Sequence, residues 1–118
     1  MFDLIFYKTI NGREPAKEFI DSLDDKSAAK VAFDMKLLQI KGNLLGMPKS
    51  RALKDGLLEL RTKTAEGITR IFYFFYVNEN IILTNGYSKK KDKMDINEFE
   101  KAREYKRDFE RREGSKIK

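Results

Sequence analysis

The 118-residue chain contains no cysteine, no histidine and no tryptophan, and only two prolines. Without cysteine there can be no disulfide, zinc finger, thiol nucleophile or thiolate metal site. Without histidine there is no Ser-His-Asp triad, no histidine metal site and no histidine general base. Any chemistry therefore runs on Arg, Lys, Tyr, Asp, Glu, Ser or Thr. Long apolar runs are lacking too, none approaching the ~20 residues of a membrane helix. The opening stretch MFDLIFYKT carries Asp3 inside its apolar run and no basic region before it, unlike a signal peptide. These absences predict a soluble, cytoplasmic protein.

What is present fits one folded domain. Apolar residues make up 41% and aromatics 12%, a load that disordered chains lack. With 25 Lys and Arg against 19 Asp and Glu, the net charge is +6, which favours a polyanionic partner. Residues 1–50, 51–97 and 98–118 contribute +1, +3 and +2, so the middle holds the largest share. No repeat and no low-complexity linker occurs. A single domain over residues 1–113 is expected, with a frayed end at 114–118.

Residues 2–8 are aromatic and branched, a strand pattern that Asn11-Gly12 ends. Pro15 suits the first turn of a helix reaching about Leu23, with Ala16, Phe19, Ile20 and Leu23 on one face. Asp24 or Asp25 can cap a second helix, in which Ala28, Val31, Met35 and Leu38 repeat at three and four. Gly42, Gly46 and Pro48 end it. Residues 57–63, 68–77 and 81–87 then read as three strands with turns at Gly67 and Asn78-Glu79-Asn80. Asp95 followed by Glu98 resembles a capping box, ahead of a stripe of Phe99, Ala102, Tyr105 and Phe109. The order β-α-α-β-β-β-α predicts an α+β fold, its helices on one face of a small antiparallel sheet.

A first hairpin closed by Thr64 to Gly67 would set Lys63 opposite Ile68, Arg61 opposite Arg70 and Glu59 opposite Phe72. Facing arginines repel unless an anion lies between them. The next strand would bring Ser88 or Lys89 beside Arg70. Arg61, Arg70 and the Lys89-Lys90-Lys91 run then gather at one end of the sheet, where arginine forks suit phosphate oxygens. The plainer reading is that strand ends carry Arg and Lys for solubility and to block edge pairing. Asp24-Asp25 and Asp92…Asp95 are explained more cheaply by capping and turns than by a metal. The alternating charges of residues 98–118 suit a solvated helix face.

Lys54-Asp-Gly-Leu-Leu-Glu-Leu-Arg61, then Thr69-Arg70-Ile-Phe-Tyr73, then Gly86-Tyr87-Ser-Lys89-Lys90 with Glu98 and Ala102 downstream, resembles the RelE/HigB-like toxins of type II toxin–antitoxin systems. The phage-derived HigB-like branch is the nearest. Gly12, Pro15, Phe19, Leu23 and the Gly46…Pro48…Leu53 approach extend the resemblance over about residues 2–105. Lys91 departs from the branch pattern where a Thr stands, and Met94-Asp95 where Thr-Pro stands. The resemblance implies a RelE-like fold and a metal-free, cofactor-free mRNA interferase acting on the ribosome. It also implies a HigA-like helix-turn-helix antitoxin as partner, with a toxin–antitoxin heterotetramer as one assembly. In such chemistry the ribose 2′-OH attacks the adjacent phosphorus, and the need is for charge stabilisation.

On this reading Arg61 and Arg70 clamp charge, while Tyr73, Tyr87 or Lys90 moves the proton. The role that histidine serves in some relatives passes here to Tyr, Lys or Glu, or is dispensed with. Lys54, Lys63, Lys89, Lys91 and Lys93 are the RNA-backbone candidates. Nearby cations would lower the Tyr87 pKa, and Arg70→Ala would remove activity while sparing the fold. Two other readings compete: a ParE-like toxin that inhibits DNA gyrase by binding alone, and a basic phage-derived binding module. The second helix is apolar nearly all round, so an antitoxin segment is expected near Phe33, Leu37 and Ile40, with Lys30 and Lys36 at its rim. The plainer alternative folds the C-terminal helix over that side.

Overall fold

Local signals place most of the helix starts. Pro15 opens a short helix, the Asp24 carboxylate accepts the Ser27 N–H at 2.6 Å, and Asp95 accepts the Asn97 N–H at 3.0 Å. In the computed structural model, which describes residues 1–90 and 93–117 with side chains through 114, the chain order is as follows. Strand β1 (Asp3–Phe6) leads to α1 (Pro15–Asp21) and α2 (Asp25–Lys41), then a 3₁₀ turn (Gly42–Leu44). Strands β2 (Ser50–Ala52), β3 (Leu58–Thr64), β4 (Gly67–Tyr76) and β5 (Asn80–Lys89) precede α3 (Ile96–Ile117).

The expected α+β architecture, with two N-terminal helices and one C-terminal helix, is borne out. Its sheet has five strands in the order β1-β5-β4-β3-β2, and it is mixed. Four strands are antiparallel, while β1 runs parallel to β5, and the α1–α2 segment that follows β1 carries the chain to β2 at the opposite edge of the sheet. Strand β2 is an addition to the expected order. Helix α3 continues through Ile117, past the boundary expected at 113.

The helices do not share one face, contrary to the sequence expectation. Alternate residues of the central strands enter two separate cores. Leu60, Ile71, Tyr73, Ile81 and Leu83 pack with Ala16 of α1 and Val31 and Leu38 of α2. Leu57, Phe72, Phe74, Ile82 and Tyr87 pack with Phe99 and Ala102 of α3. The sheet is thus the middle of three layers. A strand buried on both sides reads as a continuous apolar run, as Ile71 to Phe75 does.

Gly86 and Gly67 each permit a close approach near the patch. A Cβ at Gly86 would lie 2.6 Å from the Phe19 ring and 2.9 Å from the Arg70 carbonyl. Gly67, at φ +133°, closes the β3–β4 turn against Lys89, whose carbonyl would lie 2.8 Å from an added Cβ.

Candidate functional site

The α3 side of the sheet carries a patch that spans four strands, β2 to β5. The Arg61↔Arg70 pairing occurs as expected, as do Glu59↔Phe72 and Lys63↔Ile68. On the far side of β4, Arg70 pairs with Tyr87 and Ile68 with Lys89. Arg51 of β2 extends the Glu59 row. Three rows result: Arg51–Glu59–Phe72, Arg61–Arg70–Tyr87 and Lys63–Ile68–Lys89. The expected neighbour of Arg70 was Ser88 or Lys89; the β4–β5 turn closes earlier than expected, with Tyr76 facing Asn80, and a bulge then brings Tyr87 rather than Gly86 opposite Arg70. Register shifts by one residue between Ile71 and Tyr73, with Thr84 and Asn85 together opposite Phe72. Without that extra residue Tyr87 would fall on the α1–α2 face. Asn85 secures the bulge by donating to the Glu98 carbonyl of α3 at 3.1 Å.

The anion that facing arginines require is internal. Arg70 Nη1 donates to Glu59 Oε1 at 2.8 Å, and Arg51 Nη2 donates to Glu59 Oε2 at 2.8 Å. Arg70 and Glu59 are both 0% exposed, so each charge relies on its partner. Arg70 is consequently not an open phosphate clamp, and its removal would not spare the fold as first expected. Tyr87 stacks on Phe72 at 5.8 Å between ring centroids, and its hydroxyl accepts the Asp95 N–H at 2.9 Å. Burial raises the Tyr87 pKa, and the opposing effects of the Asp95 N–H and of Arg70 do not overcome it. That reverses the lowering expected from neighbouring cations.

The patch opens toward the β3–β4 turn. Arg61 and Lys89 are half-buried, whereas Lys63 and Lys90 are exposed. Lys89 Nζ lies 3.6 Å from Asp95, whose carboxyl is held below its ordinary range by the Glu98 N–H and by Lys89. Lys93 is exposed just before α3. Lys54 lies apart, in the β2–β3 turn at the opposite end of β3 from Lys63. Lys91 lies outside the described residues.

Tyr73 is not brought to the patch. It is fully buried in the α1–α2 core, hydrogen-bonded to Ser50, and burial raises its pKa. Glu59 and Arg51 are the members that sequence reasoning missed. A signal for Glu59 was present, since it stands two residues from Arg61 and so shares its face.

On the other side of the sheet, Phe33 and Ile40 are exposed and Leu37 is half-buried, whereas Val31 is core. Helix α3 packs on the opposite face and does not cover them. Among the described residues no group of three or more carboxylates gathers, and no helix is long and apolar enough to cross a membrane.

The patch can hold a polyanion at its exposed end, with a buried carboxylate and phenol behind it. A family model described as phage-derived protein Gp49-like (DUF891) matches residues 18–107, a span from α1 into α3 that includes the whole patch. Among curated proteins no significant match is found.

Proposed function

Because the chain belongs to the Gp49-like family of phage-derived proteins, which is associated with toxins of toxin–antitoxin systems, we propose that it is such a toxin and an mRNA endoribonuclease. The observation that carries the nuclease reading is the graded patch on the α3 side. Exposed Lys63 and Lys90 and half-buried Lys89 meet the RNA backbone, Arg61 stands at the edge, and the Glu59–Arg70–Tyr87 group lies behind. Lys93 adds to the rim. Lys54, Lys91 and Tyr73 are not assigned a part in this reading.

The chemistry asked of these residues is modest. The ribose 2′-oxygen forms a bond to the adjacent phosphorus and loses its proton. The bond to the 5′-oxygen breaks, and that oxygen takes up a proton. The products are a 2′,3′-cyclic phosphate and a 5′-hydroxyl. Negative charge grows on the phosphorane, and fixed cations stabilise it more than the ground state. Arg61 supplies this charge. Arg70 acts as a positioning residue, holding Glu59 in place beneath it. Lys90 stands exposed at the mouth of the patch and is the candidate for proton transfer. RNA is selected because its 2′-OH is the nucleophile. The ribosome presents the transcript, and a HigA-like helix-turn-helix antitoxin silences the toxin.

A gyrase-binding toxin without nuclease activity is the second reading, favoured by the full burial of Arg70 and Glu59. Induced expression separates them. Growth arrest with new transcript ends carrying 5′-hydroxyls supports the nuclease. Arrest with intact transcripts and altered plasmid supercoiling supports the gyrase binder.

A further inference from the structure

We propose that the outward face of α2, with the pocket beside it, docks an acidic amphipathic helix of a partner protein. Phe33, Leu37 and Ile40 follow one another at four and three residues of α2, which places them in one stripe, and Leu44 stands beyond its end in the 3₁₀ turn. Phe33, Ile40 and Leu44 are 66%, 55% and 82% exposed, and Leu37 is half-buried. The core-facing side of the same helix is different, with Ser27, Val31, Asp34 and Leu38 buried. Such an ordered apolar stripe in water is unusual for a solvated helix, whose outer face is ordinarily polar.

Charge identifies the occupant. Lys26, Lys30, Lys36 and Lys41 are all exposed along this helix. From Lys26 to Lys41 the one carboxylate is Asp34, which is buried and engaged by Lys49 at 3.1 Å and by the Thr62 hydroxyl at 2.7 Å. The exposed charges of α2 from Lys26 to Lys41 are therefore all basic. A complementary helix carries apolar residues on one face and Asp or Glu at its borders.

The pocket fixes the docking point. It encloses about 300 Å³ at the open edge of β3, just past the end of β2, and includes Phe33, Pro48, Ile68, Lys30, Lys49 and Lys63 in its lining. An apolar floor under lysines accepts one bulky apolar anchor with an acid beside it. From Phe33 to Ile40 the stripe runs about 10 Å, or two helical turns. Phe33 is the stripe's one aromatic ring, and the aliphatic side chains at Leu37, Ile40 and Leu44 offer RNA bases no second stacking platform. A membrane would leave the recessed pocket unfilled. The surface stands on its own geometry, and only the source of the helix, the antitoxin, rests on the toxin reading.

The test uses the full chain and three probes: a helical peptide of three heptads with Leu on one face and Glu at its borders, a single-stranded oligouridylate, and vesicles of anionic phospholipid. Backbone amide NMR shifts locate each contact. The peptide should shift residues of α2 and the pocket, and a scrambled peptide of the same composition should bind at least tenfold more weakly. Phe33→Glu, Ile40→Glu and Lys30→Glu should each weaken peptide binding tenfold or more. Exposed positions tolerate such changes, and the amide spectrum of each variant reports its fold. Equal binding of the scrambled peptide overturns the proposal, as does binding that all three variants retain. Shifts of α2 by oligouridylate or vesicles without peptide binding overturn it as well. Ile40→Glu should arrest growth like the parent, since Ile40 lies outside both the patch and the pocket, whereas Phe33 shares that pocket with Arg61 and Lys63. A parent that binds the peptide along α2 yet cleaves no transcript supports the docking surface while ending the nuclease reading.

Discussion

Arg70 Nη1 lies 2.8 Å from Glu59 Oε1, with both side chains sealed from solvent. Breaking a buried pair by removing one partner typically costs about 3–5 kcal/mol, because the survivor is left desolvated. Arg51 still holds Glu59 at 2.8 Å, so Arg70→Ala should fall toward the lower end, near 3 kcal/mol. The double variant Glu59→Leu with Arg70→Met should be more stable than the sum of the two single losses. Urea unfolding of the four proteins measures the coupling. Additive losses would mean that the pair does not act as a unit.

Arg61 offers the cleaner test of catalytic charge, since it is half-exposed at the mouth of the patch. Arg61→Ala should reduce transcript cleavage by about 10²-fold, the usual loss for one transition-state donor. Lys63→Ala and Lys89→Ala should instead weaken RNA binding evenly across sequences and lower the salt slope by about one each. Parental cleavage by a folded Arg61→Ala protein would remove Arg61 from the reaction.

The hairpin register was legible because a tight turn fixes it. Once Thr64 and Gly67 close β3–β4, Arg61 must face Arg70. Tyr87 was placed less well, because the β4–β5 turn closes between Tyr76 and Asn80 rather than at Asn78–Asn80, and the extra residue at Thr84-Asn85 leaves no periodic trace. Strand β2 spans Ser50–Ala52, too short to display alternation, so Arg51 went unassigned. The three-layer arrangement was half visible. The unbroken apolar run from Ile71 to Phe75 demands cover on both faces, a demand that one face of helices cannot meet. Burial of Arg70 was harder to foresee, since only the fold reveals that Glu59 and Arg51 meet there.

Tyr87 titrates above its ordinary value of 10.0 because burial disfavours the phenolate. A raised folded pKa means that its stabilising contribution holds below pH 10 and is lost as pH climbs through the folded value. Near neutrality Tyr87 is a neutral phenol, so a cleavage profile between pH 6 and 9 should show no tyrosine ionisation. Tyr87→Phe keeps the stack on Phe72 and deletes the acceptor for the Asp95 N–H, costing about 1 kcal/mol. Ultraviolet titration of parent and variant should differ by one late-ionising phenol. Loss of an early-ionising phenol instead would show that the Arg70 charge outweighs burial.

Gly86 joins the two faces of the sheet, and its replacement should disturb both. A Cβ there meets the Phe19 ring at 2.6 Å on the α1 side and the Arg70 carbonyl at 2.9 Å. The ring can rotate, but the carbonyl belongs to the central strand and cannot withdraw without moving β4. Overpacking of this kind costs about 1–3 kcal/mol, so Gly86→Ala should lower the melting temperature by roughly 5–15 °C. Displacing β5 also disturbs the Arg70–Tyr87 pairing, so cleavage should fall along with stability. Gly46→Ala is the matched control, because nothing lies within 4 Å of a Cβ at that position. It should leave both melting temperature and activity at parental values. A Gly86→Ala protein that melts with the parent would mean that α1 and β5 are less closely seated than the Phe19 contact requires.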